Sequence, residues 1–490
     1  AFHLYPPPKR FRQHKSELSL ENRRWIVLDR NLPERIVHAA NRFADDLPRP
    51  AEITFGEAPA DQTLVSLQLR PPLRNTEAYE IRCNAKGISI DAASEAGLFY
   101  GLGTLGQILA QAADPLPCFS IRDEPDFPNR GVMLDISRCK VAKLETLFDQ
   151  IDAFARLKYN QLQLYTEHTF AFVNHPTVWA DASPLTAGDI ARIRQFCEAR
   201  YIDLVPNLNS FGHFERWLRH PEYQEYAECP DGFVHPLSGQ RIEFGSTLRP
   251  TRKSLALLEA LYDEYLPLFN ADAFNVGGDE PWELGQGYSR RQCEARGTTG
   301  VYVDFLGEIH KLVRTRDRTM MFWSDIVLKE PDSLRKLGDQ VIALNWGYEG
   351  NHPFKKECEI MNGAGLPYYV CPGTSAWNSL VGRTSNMLTN LASAARNGLK
   401  FDATGYLVTD WGDHGHHQYL PVSFSGFVMG GCHAWHHRAS RQLDPADGVN
   451  RIFLENPDSA LGNLIVDLGL LQDLNRSNIR HATLFTRRLF

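Results

Sequence analysis

The sequence predicts an α/β architecture: a (β/α)8 barrel preceded by a small α+β domain. Three observations predict it. Eight strand-like runs alternate with helical patterns over about 300 residues, the span and count of such a barrel. The segment before them has a different rhythm, with short alternating strands and only two helical stretches. Polar and aromatic residues recur at the ends of the strand-like runs, where barrel enzymes build their sites. A doubly wound open sheet competes with this reading, but the count of eight and the placement of the polar residues favour the barrel.

The predicted organisation is an α+β domain over residues 1–124, a barrel over 125–440 and a helical extension over 441–490. In the first part, Trp25-Ile26-Val27-Leu28 and the run Leu64 to Leu69 have strand character. Tyr79 to Arg82 and Ile88 to Asp91 alternate as a hairpin would, joined through Lys86-Gly87. Helices are predicted from Arg35 to Asp46 and from Ser94 to Gln111, with Ser94 as N-cap. The second contains Gly101-Leu102-Gly103-Thr104-Leu105-Gly106, a letter-perfect G-x-G-x-x-G. A dinucleotide site needs that motif in the turn after a strand. Here it lies within an apolar helical pattern, so close helix–sheet packing is the better reading. Pro115, Pro117, Pro125 and Pro128 mark the stretch from Asp114 to Asn129 as a junction.

The barrel strands are predicted at Gly131–Ile136, Gln161–Tyr165, Ile202–Val205 and Ala273–Val276, then at Thr319–Trp323, Val341–Leu344, Pro367–Val370 and Gly405–Val408. Each is followed by a helix in this reading, as at Lys143–Leu157, Ala187–Ala199, Thr251–Leu266 and Val301–Arg314. Their ends carry Thr166-Glu167-His168, Asn207 to His213, Asp279-Glu280, Trp323-Ser324-Asp325, Asn345 to Glu349, Trp377-Asn378 and Thr409 to Asp413. Beyond Trp435, Ala460 to Leu474 reads as helix.

Bulk properties bound the partners. The chain has 490 residues, 43% hydrophobic and 23% charged, with a net charge of -7. That composition suits a soluble globular protein with no nucleic-acid and no membrane partner, and no apolar run has transmembrane length. The nine cysteines are scattered and form no C-x-x-C pair. They read as reduced, mostly buried thiols, which points to the cytoplasm. A periplasmic or secreted location after signal removal stays open, as does the oligomeric state, a homodimer included. Asn475-Arg476-Ser477 matches a glycosylation sequon at near chance frequency.

The run Ala273-Phe274-Asn275-Val276-Gly277-Gly278-Asp279-Glu280 carries the most chemistry. Two adjacent acids at the end of a buried strand are either a catalytic pair or, with Pro281 behind them, a helix N-terminus favoured by its dipole. The in-phase residues on the other strands favour catalysis, and a helix starting at Pro281 is compatible with both. Trp323, Trp346, Trp377 and Trp411 at equivalent strand ends favour a pocket over four coincident core residues. Indole faces and carboxylates together suit a sugar. A metal site built from His414, His416 and His417, or from His433, His436 and His437, is the rival. No H-E-x-x-H supports it, and no G-x-S-x-G supports an esterase.

The strand ending Gly277-Gly278-Asp279-Glu280 resembles glycoside hydrolase family 20, the β-N-acetylhexosaminidases. Arg130-Gly131-Val132-Met133-Leu134-Asp135 resembles the family's first strand, Pro206 to His213 its third, and Trp323 and Trp346 its fifth- and sixth-strand tryptophans. The α+β domain resembles the one that commonly precedes this barrel. The resemblance implies an exo-acting, retaining hydrolase of oligosaccharides ending in β-linked GlcNAc or GalNAc, with no cofactor and no metal. The substrate's acetamido group is then the nucleophile. Glu280 is implied as general acid and base, and Asp279 as the group that holds the acetamido N–H. Arg130 is implied on the C3 and C4 hydroxyls, Trp323, Trp346 and Trp377 around the acetamido methyl, Asp410 and Trp411 on the ring, and His213 behind Glu280. Asn207 and Asn209 stand where the family often has carboxylates, and Trp377-Asn378 where a tyrosine is common, as in an intracellular-type branch. Those departures leave the charge partner of His213 and the donor to the acetamido oxygen unassigned, with Asn378 and Tyr348 as candidates for the latter. A sugar-binding barrel without activity and a metal-dependent barrel hydrolase are the alternatives.

Overall fold

The computed structural model describes residues 2–70, 75–331, 333, 337–338, 340–474 and 479–489. The sequon at Asn475 lies outside them. The N-terminal sheet has seven strands in the spatial order Arg10–Leu18, Leu116–Asp123, Tyr79–Asn84, Gly87–Ala92, Thr63–Leu69, Trp25–Leu28 and Glu52–Phe55. The predicted hairpin through Lys86 is present, with Tyr79 opposite Ala92 and Asn84 opposite Gly87. The proline-rich junction is in part a strand: Leu116–Asp123 pairs antiparallel with both Tyr79–Asn84 and Arg10–Leu18. Its prolines are tolerated because Pro115 precedes the strand and Pro117 sits near its start, where the ladder loses least.

Helix Glu95–Leu109 begins on Ser94, whose hydroxyl accepts from the Gly97 N–H at 3.3 Å. A Cβ at Gly101 would stand 2.6 Å from Ile90 Cγ2. The glycine motif is thus a packing device at that position, while Gly103 faces open space.

All eight barrel strands form: Asn129–Asp135, Gln161–Tyr165, Asp203–Val205, Ala273–Asn275, Thr319–Trp323, Val341–Trp346, Tyr368–Cys371 and Gly405–Asp410. Every ladder between them is parallel. Closure runs through Asn207 and Asn275, where the Asn275 N–H donates to Pro206 O at 2.9 Å and the Leu208 N–H to Asn275 O at 3.0 Å. One helix of the pattern is missing among the described residues. Strand five is followed by a 3-10 turn, Val327–Lys329, with no α-helix among the described residues before strand six.

The last barrel helix, Pro421–Ser440, joins the two parts. Its Trp435 is fully buried in the core of the N-terminal sheet, and its indole N–H donates to Asp123 at 3.0 Å. Arg130 lies in the same seam and is fully buried. Its guanidinium donates to Glu77 at 2.6 and 2.9 Å, to the Lys158 carbonyl at 2.8 Å and to the Phe127 carbonyl at 3.0 Å, and it sits 5.0 Å from the Trp435 ring. The cysteines are unpaired; seven are buried, Cys293 is half-buried and Cys139 is exposed. No helix among the described residues is long and apolar enough to cross a membrane.

Candidate active site

Strand four ends at Asn275, and the five residues after it turn sharply. Gly277, Gly278 and Glu280 all have positive φ, at 71°, 88° and 47°. Glycine adopts this backbone without cost, whereas Glu280 does so under strain that its surroundings must hold. Asn275 Oδ1 accepts from the Gly277 N–H at 3.0 Å, Gly277 O accepts from the Trp323 N–H at 2.9 Å, and Gly278 O accepts from the Tyr302 hydroxyl at 2.8 Å. A Cβ at Gly277 would stand 2.1 Å from Asn209 Oδ1, and one at Gly212 2.5 Å from Asp279 O. The loops after strands three and four therefore lie backbone to backbone. No helix starts at Pro281; the next is Arg290–Arg296. The dipole-capping explanation of the acid pair accordingly falls away.

The contact brings His213 onto the pair. Its Nε2 lies 3.3 Å from Asp279 Oδ2 and 3.9 Å from Glu280 Oε2. Sequence reasoning set His213 behind Glu280; its shorter contact is with Asp279. Burial would lower the His213 pKa, but the Asp279 carboxylate overrides this and raises it to about 10. The side chain of Asp279 is 10% exposed and that of Glu280 31%. Burial, helped by Asp279 and opposed by His213, pushes the Glu280 carboxyl above its ordinary range. Asp325, at the end of strand five, is pushed to about 8 by burial and then by the charges of Asp279 and Glu280.

Arg138, three residues beyond the end of strand one, provides the guanidinium at this rim. It donates to Asp135 at 2.9 Å, pairs with Glu167 at 3.2 Å and reaches to 4.0 Å from Asp413. It also lies 4.7 Å from the Tyr165 ring and 5.1 Å from that of Trp411. Arg130, singled out from sequence, stands at the opposite end of the same strand with its donors committed to the domain seam. A strand of seven residues spans roughly 20 Å, so Arg130 does not reach the rim. Asp410 also differs from expectation: its carboxylate accepts from Thr374 Oγ1 at 2.5 Å and Ser423 Oγ at 2.9 Å, beneath the rim. Asp413, three residues on, has a side chain 34% exposed, and burial raises its pKa.

The aromatic side chains converge. Trp323 and Trp411 lie 6.0 Å apart, Trp346 stacks on Tyr348 at 5.2 Å, and Tyr348 meets Trp377 edge-on at 5.0 Å. The indole N–H groups of Trp323 and Trp377 are buried without an acceptor among the described residues, while those of Trp346 and Trp411 lie beside Asp325 and the Tyr348 hydroxyl. A buried, unpaired donor costs about 1–3 kcal/mol, so the free indole N–H groups of Trp323 and Trp377 favour a polar ligand beside them.

The sequence did not single out Arg138 or Asp413, and it named Tyr348 only as a candidate donor to the acetamido oxygen. The signal for the first two was the rule already in use, that chemistry sits at and after strand C-termini; Arg130 lies near the start of its strand, and Asp410 is the last residue of its strand, three short of Asp413. His213, Asp279 and Glu280 bring potential ligand atoms within 4.8 Å of one another. Glu167, His213 and Glu215 form a second such group; the carboxylates around His213 favour its charged form. His433 and His437 face each other at 3.2 Å within the last barrel helix, and burial lowers His433 to about 3. His436 contacts the carbonyl of Pro8 at 3.2 Å. Neither His433 nor His436 joins a carboxylate cluster of metal-binding spacing among the described residues.

Comparison with known families finds the model described as glycosyl hydrolase family 20, domain 2, over residues 1–124, and that family's catalytic domain over residues 127–392. The chain belongs to glycosyl hydrolase family 20. Relatives include a beta-hexosaminidase of Porphyromonas gingivalis, 24% identical over 67% of this chain and 46% of its own length. The beta subunit of mouse beta-hexosaminidase is 21% identical over 64% of this chain and 60% of its own. Relative to the Porphyromonas protein, this chain spans about half the length. Among solved structures, a Flavobacterium johnsoniae chitobiase superposes with a TM-score of 0.73 at 20% identity, covering 96% of this chain and 73% of that one. A Streptomyces plicatus N-acetyl-beta-hexosaminidase gives 0.71 at 16% identity, covering 92% and 95%. These establish the family 20 fold, an α+β domain followed by the barrel.

Proposed function

We propose that this family 20 chain is an exo-acting, retaining β-N-acetylhexosaminidase that removes terminal β-linked GlcNAc or GalNAc by substrate-assisted hydrolysis. The observation that carries the reading is the division of labour between two adjacent acids. Asp279 is held by the His213 imidazolium at 3.3 Å, while Glu280 is more exposed and has a raised pKa. A charged partner on the first acid and an upward pKa shift on the second suit acid catalysis beside a cationic intermediate.

The sugar lies at the C-terminal rim, between the loop after strand one and those after strands four to eight. Arg138 and Asp413 offer a donor and an acceptor at adjacent positions for neighbouring ring hydroxyls. Trp323, Trp346 and Trp377 enclose the acetamido group. Glu280 gives its proton to the glycosidic oxygen as the C1–O bond breaks. The acetamido carbonyl oxygen forms the new bond to C1, giving an oxazolinium ring and inverting the anomeric carbon. Asp279 accepts the acetamido N–H and lies beside the positive charge that develops. Water then attacks C1, Glu280 takes its proton, the ring opens and configuration is restored. The protein contributes no nucleophile of its own, in accord with the family chemistry.

The test is turnover of 4-nitrophenyl N-acetyl-β-glucosaminide and galactosaminide by the wild type and by Glu280→Gln. The wild type should release nitrophenol and the variant should lose about 10²–10⁴ in kcat. A thiazoline mimic of the intermediate should inhibit the wild type. Turnover by Glu280→Gln at the wild-type rate would overturn the assignment.

A further inference from the structure

Residues 479–489 lie beyond the stretch matched to the catalytic domain, which ends at 392, yet they fold back onto the loops that carry the aromatic pocket. The His481 ring meets Tyr348 edge-on at 5.4 Å. Tyr348 is the hub of that pocket, touching Trp346, Trp377 and Trp411. The His481 N–H donates to Glu349 Oε1 at 2.8 Å. Glu349 in turn accepts from Arg383 Nη1 at 3.0 and 3.1 Å. Two residues on, the Thr483 N–H donates to the carbonyl of Asn378 at 3.0 Å. Asn378 adjoins Trp377 and has a φ of 51°. Ala482, Thr483 and Thr486 are buried. The segment therefore ties the loop after strand six to the loop after strand seven at the two points where each presents its aromatic residue.

We infer that His481 and Thr483 form a strap that positions Tyr348 and Trp377, and so sets the size of acyl group the pocket admits at C2 of the sugar. The inference rests on the proposed function, since it concerns the acetamido pocket of that reading. Physically, Tyr348 has neighbours from the barrel on one side and the His481 ring on the other. Removing that ring leaves an empty volume against Tyr348, and close-packed side chains move to fill such a space. Movement of Tyr348 away from Trp377 enlarges the pocket where the acyl chain ends. His481 itself has a φ of 56°, which asparagine tolerates well among non-glycine residues. His481→Asn thus removes the ring with little change in backbone cost, and His481→Phe keeps a ring at the same place.

The experiment measures kcat/KM for 4-nitrophenyl β-glucosaminides bearing N-acetyl or N-butyryl groups, in the wild type, His481→Asn and His481→Phe. Turnover of the N-acetyl substrate by the wild type tests the proposed function and is read first. The ratio of the two substrates tests the strap. His481→Asn should shift that ratio about tenfold toward N-butyryl, and His481→Phe should keep it within about twofold of wild type. A ratio unchanged in His481→Asn would overturn the inference, whether or not both substrates slow together, because slowing alone marks a purely structural contact. Where His481→Asn fails to fold, Thr483→Pro, which removes the N–H donated to Asn378, should give the same shift, and an unchanged ratio there overturns the inference equally.

Discussion

Two arginines eight residues apart, Arg130 near the start of strand one and Arg138 three residues past its end, separate the domain seam from the proposed sugar site, and exchanging each of them tests the placement of that site. Arg130 is fully buried and donates to Glu77 and to the carbonyls of Lys158, Phe127 and Pro128. Arg130→Met fills much of the space and leaves the Glu77 carboxylate without its partner. Breaking a buried pair in this one-sided way costs about 3–5 kcal/mol. Glu77→Gln in the same background removes the stranded charge and should recover part of that loss. Arg138 has another position and another prediction. Its fork reaches Asp135, Glu167 and the neighbourhood of Asp413. Arg138→Lys keeps the charge but loses the planar set of donors and the stacking over Tyr165 and Trp411. Loss of one charged hydrogen bond to a sugar hydroxyl costs about 1.5–3 kcal/mol, or roughly 10- to 150-fold in kcat/KM. Thermal melting and kcat/KM on an aryl N-acetylglucosaminide, measured on both variants, decide the matter. Arg130→Met should melt early but turn over normally while folded, and Arg138→Lys should melt near wild type and turn over slowly. The reverse pattern would refute the placement of the sugar at the rim and return it to the sequence-based choice.

The pH dependence can be predicted by sign. In the proposed reaction Glu280 is the group whose deprotonation ends activity at high pH, and the His213 cation lowers its pKa; His213→Gln should therefore move the alkaline limb of kcat/KM upward, and a downward move would contradict the pairing. Asp279→Asn removes a charge that raises the Glu280 pKa; it should shift the same limb downward and cost most of the turnover. Stability has its own pH window. Burial raises Asp325 to about 8 and Glu283 to about 7, so their neutral forms favour the fold at low pH and this contribution is lost as pH rises through those values. Burial lowers His416 and His481 to about 4, so their contribution is present above pH 6.5 and is lost as pH falls toward 4. Melting temperature should peak between about pH 5 and 7, and a steady rise to pH 9 would oppose these assignments. Gly277→Ala places a Cβ 2.1 Å from Asn209 Oδ1 at a φ of 71°; it should destabilise the fold by several kcal/mol, about 2–4, and a melt equal to wild type would show that the two rim loops can part.

The fold was legible because each barrel strand carries its own signal. A short apolar run bounded by a polar end is readable one strand at a time, and eight of them in phase leave little choice of architecture. Strands that depend on a distant partner were harder. Arg10–Leu18 is exposed along most of its length, so no hydrophobic alternation marks it, and Leu116–Asp123 hides among prolines. Within the site, Asp279, Glu280 and the tryptophans were legible from residue type at strand ends. Arg138 and Asp413 were not, because the choice between arginines eight residues apart, or acids three apart, depends on where a strand stops. His481 had no signal at all: nothing in residues 479–489 resembles the barrel they rest on, and only the chain path brings them to Tyr348.

Why two acids should stand side by side is answered by backbone geometry. In an extended strand, neighbouring side chains point to opposite faces, and only one of the pair would face the substrate. In a helix, neighbours diverge by about 100° and one would leave the site. The turn after Asn275 does neither. Positive φ at Gly277 and Gly278 lifts the chain over the end of strand four, and positive φ at Glu280 bends it again directly after Asp279. The two carboxylates come within 4.8 Å of each other and of His213 while differing threefold in exposure, at 10% and 31%. Burial, and after it the Asp279 charge, pushes the Glu280 carboxyl above its ordinary range against the pull of His213, the direction a general acid needs. The strain at Glu280 is held by contacts that lie outside the pair: the Tyr302 hydroxyl on Gly278 O, the Trp323 N–H on Gly277 O, and the close approach of Gly212 from the loop after strand three. The Gly-Gly-Asp-Glu sequence is therefore a conformational requirement as much as a chemical one, and the glycines before the acids are as necessary to the proposed reaction as the acids themselves.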